Sequence, residues 1–343
     1  MKKNIFLLIS SFLIVINASA KIWRINNTGV PADFTTPQAA NNSASVVNGD
    51  TLHIEASGAS YGSLTVTKQL VIIGNGYLLG TLGSNANPDL QANPSASTLT
   101  SVTFNGGSDG SVLQGITTGG TLTIQAGANN IIIRRNRLAY ITLGACSNVK
   151  ILQNYLDQNT FASIGNDGNA ATNLQINNNV IANAVTFTPN CNGDFMNNLQ
   201  AVFAGGTITL TGFRVWNNIS IQGSVALFSC DSRNNIGHST QFGNLNGNQQ
   251  NVTMSTVFED IANTNPSFSE DNRWQLKAGS PAIGAAWNGV TTSGDCGIFG
   301  SSATGISYIL SGIPNVPSIY KLVAPSTVTT GILNITISTK TNN

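Results

Sequence analysis

Charge is scarce in this chain. Only 8% of its 343 residues are Asp, Glu, Lys or Arg, against about a quarter in ordinary soluble domains. The formal net charge is +1, and without Lys2 and Lys3 there are 13 basic side chains against 14 acidic ones. Nucleic acid and anionic membrane surfaces both call for a clustered basic excess, so no nucleic-acid partner is expected. Histidine occurs twice, at His53 and His238. Neither has a Ser or Cys partner at a recognisable catalytic spacing. The four cysteines, Cys146, Cys191, Cys230 and Cys296, form no C-x-x-C pair, which argues against zinc. Either two disulfides, with three possible pairings, or buried free thiols fit the count. No apolar run after residue 20 reaches the roughly 20 residues of a transmembrane helix.

Uncharged polar residues fill the gap. There are about 45 asparagines and 35 glycines, while hydrophobic residues still make up 41%. A core is therefore available, and the chain is not of the disordered class. Asn and Gly tolerate the backbone angles of tight corners, so many short strands joined by many turns are expected.

The first twenty residues read as a signal peptide. Lys2 and Lys3 precede an apolar run from Ile5 to Ile16, and Ala18-Ser19-Ala20 offers small residues at a cleavage point. Cleavage there leaves Lys21 as the new N-terminus. The expected location is secreted, extracellular or at the cell surface, with the periplasm as the alternative.

The informative region runs from about residue 130 to 237. Asn136, Asn154, Asn179, Asn198, Asn218 and Asn235 recur at intervals of 18, 25, 19, 20 and 17. Three residues before each lies Ile133, Ile151, Ile176, Phe195, Val215 or Ser232, and two further back Ile131, Val149, Leu174, Gly193, Phe213 or Cys230. Apolar-x-apolar is strand periodicity, with both side chains on one face. One short strand per twenty residues cannot bury that face alone, but stacked coils can. The asparagines then form a ladder with a pitch of about 4.8 Å. After the Asn comes Leu138, Leu156 or Ile181 two residues on; the later copies read as a shift of this residue to Leu199, Ile219 and Ile236, directly after the Asn. A leucine-rich repeat shares part of this pattern at Leu174 to Ile181. Its preceding leucine is missing, however, and strand-like pieces such as Thr121 to Ile124 replace its helices.

The expected fold is all-β, a right-handed parallel β-helix with a short N-terminal capping helix. Thr51 to Ile54 and Leu70 to Ile73 read as earlier coils. Thr36 caps a helix that opens at Pro37 and runs to about Val46, with Phe34, Ala39, Ala40 and Ala44 facing inward. Such a helix would protect the open sheet edge. Residues 21–300 form the β-helix domain. Residues 301–343 form a C-terminal β appendage, expected to cover the last coil or to serve in export or attachment.

Two segments carry a family resemblance. Asp33 to Ala40, followed by Gly49 to Leu52, resembles the N-terminal part of secreted pectate-lyase-like β-helix proteins. Trp274 to Gly284, with Asp295 to Gly300, resembles the C-terminal end of the same group, and the whole chain resembles exported proteins of Bacteroidetes. The resemblance implies the fold and the compartment. It leaves activity open, because that superfamily holds lyases, hydrolases, epimerases, adhesins and proteins without chemistry. Its lyases use Lys or Arg to abstract a proton beside a uronic carboxylate, often with calcium.

The repeat register places Asp194, Arg214 and Asp231 in consecutive coils, with Trp216 and Arg233 beside them. This strip reads as a saccharide-binding surface with Trp216 as a stacking platform, or as an inter-coil salt-bridge ladder. A secondary basic group comprises Arg134, Arg135, Arg137 and Lys150, either a polyanion site or solvated surface. Asp157 and Asp167 lack the spacing of calcium ligands. Glu259-Asp260 and Glu270-Asp271 read as glycosidase carboxylates or as loop solvation. The leading expectation is a non-enzymatic surface, adhesion or glycan-binding scaffold without cofactor or metal, its partner an extracellular polysaccharide or cell-surface component. The alternative is a polysaccharide lyase or glycoside hydrolase on an acidic glycan, and calcium belongs only to it.

Overall fold

A computed structural model describes residues 20–81, 85–157, 163–201, 206–325, 327, 331 and 333–342. The expected signal peptide, residues 1–20, lies outside them except for Ala20. The chain winds as a right-handed parallel β-helix whose coils stack three parallel sheets. Sheet 1 has ten strands, from Ile22–Ile25 to Asp231–Arg233, and sheets 2 and 3 have eight each. Sheet 1 gains Ile22–Ile25 and Val112–Gln114, strands that the repeat pattern does not reveal.

Each of the six repeat coils turns from sheet 1 into sheet 2 through one residue in the left-handed region. That residue is Arg135, Gln153, Asn178, Asn197, Asn217 or Asn234, with φ of 52° to 60°. Asparagine tolerates this conformation better than other non-glycine residues, which explains the Asn-Asn pairs in the sequence. The second residue of each pair builds the expected ladder. Each carboxamide donates to the next coil's, from Asn136 through Asn154, Asn179, Asn198 and Asn218 to Asn235, at 2.9–3.1 Å. Asn248 adds a further rung at 2.9 Å. All six repeat asparagines are buried, and their amides also bond the backbone of the preceding coil. Burial without a partner would cost each about 1–3 kcal/mol.

The residues after the ladder show no register shift. Arg137, Tyr155, Val180, Leu199, Ile219 and Ile236 pair in one column of sheet 2, while Leu138, Leu156, Ile181, Gln200, Ser220 and Gly237 pair in the next. The second column faces the core. The first faces outward, yet it is apolar from Tyr155 onward because residues 252–308 cover it. Val257, Phe258, Trp274, Ala282, Cys296, Ile298 and Tyr308 pack there in a second hydrophobic cluster. From Tyr155 onward sheet 2 is thus buried on both faces.

The capping helix is shorter than expected, Pro37–Asn42. Ser43 ends it by taking an extended conformation. Pro37, Ala40 and Asn41 face inward, as i, i+3, i+4 spacing requires, while Ala39 and Ala44 are exposed. Gln38 and Asn41 protect the first strand of sheet 3. Their side-chain oxygens accept from the backbone N–H groups of Thr65 at 2.7 Å and Thr67 at 3.1 Å.

The C-terminal segment does not sit over the last coil. It runs back along the corner between sheets 1 and 2, against the order of the coils. Asn234 holds Ala285, Asn217 holds Trp287, Asn197 holds Asp295 and Gly297, and Asn178 holds Ile298 and Gly300. Gln153 then bonds Ser307 O, and Arg135 bonds Ile313 O at 3.1 Å. The left-handed corner residues therefore bind a strap. Its end, Ser318–Val323 paired with Thr336–Lys340 as a hairpin, reaches the first coils through Ile319 O, which accepts from Ala92 N at 2.8 Å. Buried Asp271 fastens it further by accepting from Asn87 and Ser269 at 2.8 Å and from Ser311 N at 2.7 Å.

Candidate functional site

The outward face of sheet 1 brings the expected strip together. Asp194, Arg214 and Asp231 are register neighbours, as are Trp216 and Arg233. Arg214 grips Asp194 with two parallel bonds of 2.6 Å, from Nε and from a terminal nitrogen. Arg233 Nε donates to Asp231 Oδ1 at 2.7 Å, and the Trp216 indole N–H donates to Asp231 Oδ2 at 3.1 Å. The Arg214 guanidinium lies 5.3 Å from the centre of the Trp216 ring. The strip is open to solvent, with the Arg214 side chain 55% and that of Arg233 39% exposed. Exposed pairs of this kind contribute about 0–1 kcal/mol each, so stability alone gives little reason for them.

One member of the strip is absent from the repeat reading. Trp287 lies on the strap, and its ring sits 5.7 Å from the Arg233 guanidinium. Asn217 fixes it there: Trp287 N donates to the carboxamide oxygen at 2.7 Å, and the carboxamide nitrogen donates to Trp287 O at 2.9 Å. Each arginine of the strip thus has its own indole, Arg214 that of Trp216 and Arg233 that of Trp287. The only trace of this in the sequence is a tryptophan among polar loop residues.

The second basic group does not converge. Arg134 bonds Gln114 and Asn315 at 3.0 Å, so it belongs to the strap contact. Arg135 is buried between Gln153 and Ile313 O. Arg137 stands on sheet 2, paired with Asp157 and, at 3.7 Å, with Glu270. Burial alone would depress its guanidinium, but the two carboxylates hold it above its ordinary value. Lys150 is on sheet 1, two residues along its strand from Leu152, the register partner of Arg134.

The remaining acids are structural. Burial would raise Asp260, but bonds from Thr264 N at 3.1 Å and Asn265 N at 2.9 Å outweigh it and hold the carboxyl below its usual range. Asp271 is fully buried in the strap network. Asp157 serves Arg137, and Asp167 caps its own turn through Asn169 N at 3.1 Å. Glu259 is exposed. Among the described residues, no three His, Cys, Asp or Glu side chains are grouped to share a metal ion.

His53 faces outward, opposite to buried Leu52 and Ile54. It borders an open cleft of about 460 Å³ with Glu55, Asn75, Gln91 and Ile319. Burial would raise Glu55, but bonds of 2.6 Å from Arg24 and Asn26 outweigh it and hold the carboxyl below its usual range. His238 borders a second cleft, about 570 Å³, with Gln222, Asn251 and Met254. All four cysteines are free thiols rather than disulfides, and Cys146, Cys191 and Cys296 are buried. Among the described residues, no helix is long and apolar enough to cross a membrane. The chain matches no protein-family model, no curated protein and no solved structure.

Proposed function

We propose that this is an exported, non-catalytic scaffold that binds an extracellular glycan along the outer face of sheet 1. The observation that carries the reading is a pair of indole–guanidinium contacts on one open face, Trp216 with Arg214 and Trp287 with Arg233, with Trp216 and Arg233 register neighbours. Aromatic rings offer apolar area with a polar handle, and the adjoining carboxylates and guanidinia offer hydrogen bonds to sugar hydroxyls. An elongated solenoid presents such a row to an extended polymer rather than to a small molecule.

Export is supported by the N-terminal sequence and by one contact. Lys21 N lies 2.8 Å from Asp50 Oδ1. Cleavage after Ala20 would turn that nitrogen into an ammonium already facing a carboxylate. The resemblance to pectate-lyase-like proteins of Bacteroidetes fits the same compartment.

The enzyme alternative fares worse on geometry. A lyase needs a base near its uronate, and Arg214 is committed by two bonds to Asp194. Of the acids that would serve a glycosidase, Asp260 is tied to backbone, Asp271 to the strap and Glu270 to Arg137, which leaves exposed Glu259 without a second carboxylate to work with.

Affinity electrophoresis of the purified protein through gels containing neutral and acidic polysaccharides tests the proposal. Retardation by at least one glycan is expected, with loss in Trp216→Ala and in Trp287→Ala. Equal retardation of wild type and both variants would refute the assigned surface.

A further inference from the structure

Sheet 3 leaves its outer face uncovered, and that face has a composition of its own. Its central outward column holds Thr65, Thr103, Thr123 and Thr142 on four successive coils and Thr186 and Thr209 on two more. Gly165 takes the rung between Thr142 and Thr186, and Ala226 ends the column. The row at Thr209 widens to Thr207 and Thr211, and the row at Thr123 includes Thr121. Every one of these threonines is at least partly open to solvent. Among the described residues, no hydrogen bond to another protein group occupies the hydroxyls of the central column. The described strands of sheet 3 contain no charged residue at all.

Sheet geometry turns the column into a grid. Neighbouring coils repeat at about 4.8 Å, and same-face residues along a strand at about 6.7 Å. Threonine is stiff at χ1, which limits the orientations that each hydroxyl and methyl can take. Each hydroxyl both donates and accepts. Each methyl forces the water above it to bond to other water. Grid spacings of this size lie close to the oxygen repeats of hexagonal ice, whose surface is also neutral and offers donors and acceptors at every site.

We infer that the outward threonine face of sheet 3 is an ice-binding surface, separate from the strip on sheet 1. Two features favour ice over a crystalline polysaccharide. Sugar faces are gripped by stacked aromatic rings, and the central column carries none; Tyr140 lies beside it and Phe228 beyond its end. The face is also without charge, which matches a neutral lattice. A single ordered water gives little affinity, but a rigid array engages many at once without a further ordering cost.

The test is partition of the purified protein into slowly growing ice, read as its concentration in the ice against that in the liquid. The wild type should enter the ice, and Thr123→Lys and Thr142→Lys should stay in the liquid with unchanged circular dichroism. Thr142→Val, which keeps the shape and removes one hydroxyl, controls for folding and should partition less than wild type. A wild type excluded from ice, or lysine variants that partition like it, would overturn the inference. So would wild-type sedimentation with microcrystalline cellulose without entry into ice, because that would assign the face to a crystalline polysaccharide.

Discussion

Asn217 grips Trp287 by both ends of its backbone, accepting from its N–H at 2.7 Å and donating to its carbonyl at 2.9 Å. Seventy residues separate the two, and this one side chain sets an indole of the strap beside the sheet 1 strip. Asn217→Gly keeps the left-handed corner and removes both bonds. It should destabilise the protein by about 1–2 kcal/mol and weaken glycan retention. Asn217→Ala should cost roughly 1 kcal/mol more, because φ is 60°. Urea unfolding midpoints and affinity electrophoresis check both variants.

The asparagine ladder predicts coupling between rungs. Asn198 accepts from Asn179 N and Nδ2 at 3.0 Å and donates to Asn218 at 3.1 Å. Asn198→Ala leaves buried partners unpaired and should cost about 3 kcal/mol. Adding Asn179→Ala should cost less than the sum of the single changes, by about 0.5–3 kcal/mol, since the pair shares bonds. Strict additivity in a double-mutant cycle would contradict the ladder.

The thiols should react in order of exposure. Burial pushes the Cys146 thiol up to about 12 and raises Cys296 as well, which suppresses the reactive thiolate. Cys230 is half-exposed. A thiol reagent on the native protein should label Cys230 first and the other three only after denaturation. Fewer than four thiols in the unreduced, denatured protein would reveal a disulfide and contradict the structure.

Three carboxylates make the protein acid-sensitive. Burial would raise Asp50, but bonds from the Trp23 indole at 2.8 Å and Val47 N at 3.0 Å outweigh it, and its pKa lies below normal. Glu55 and Asp260 are depressed in the same way. A folded pKa below the unfolded one means that the contribution is full above the unfolded values of about 3.9 and 4.3. It is lost as pH falls through the folded values. Thermal midpoints should therefore hold above about pH 5 and drop below about pH 4, less steeply in Asp50→Asn. An equal drop in both proteins would contradict the assignment.

The solenoid was legible because its determinants are local. Apolar-x-apolar followed by Asn repeats in the sequence just as the corner repeats in space. The same register placed Asp194, Arg214, Trp216, Asp231 and Arg233 on one face. What the repeat could not carry was long-range packing. Leu199 and Ile219 looked like a shifted column because their cover, residues 252–308, has no periodicity. Arg134 and Arg135 looked like free cations because the strap that uses them lies about 180 residues away. The threonine column is not legible in the sequence because coils of unequal length hide its spacing, which only strand pairing reveals.

The central claim is that the sheet 1 strip binds a glycan without cleaving it. Its most direct test incubates the purified protein with each polysaccharide that retards it, with calcium and with chelator, and measures new reducing ends and unsaturated uronates. The account predicts no product under either condition while retardation persists. Product formation that disappears in Arg214→Ala would contradict it and make the strip an active site.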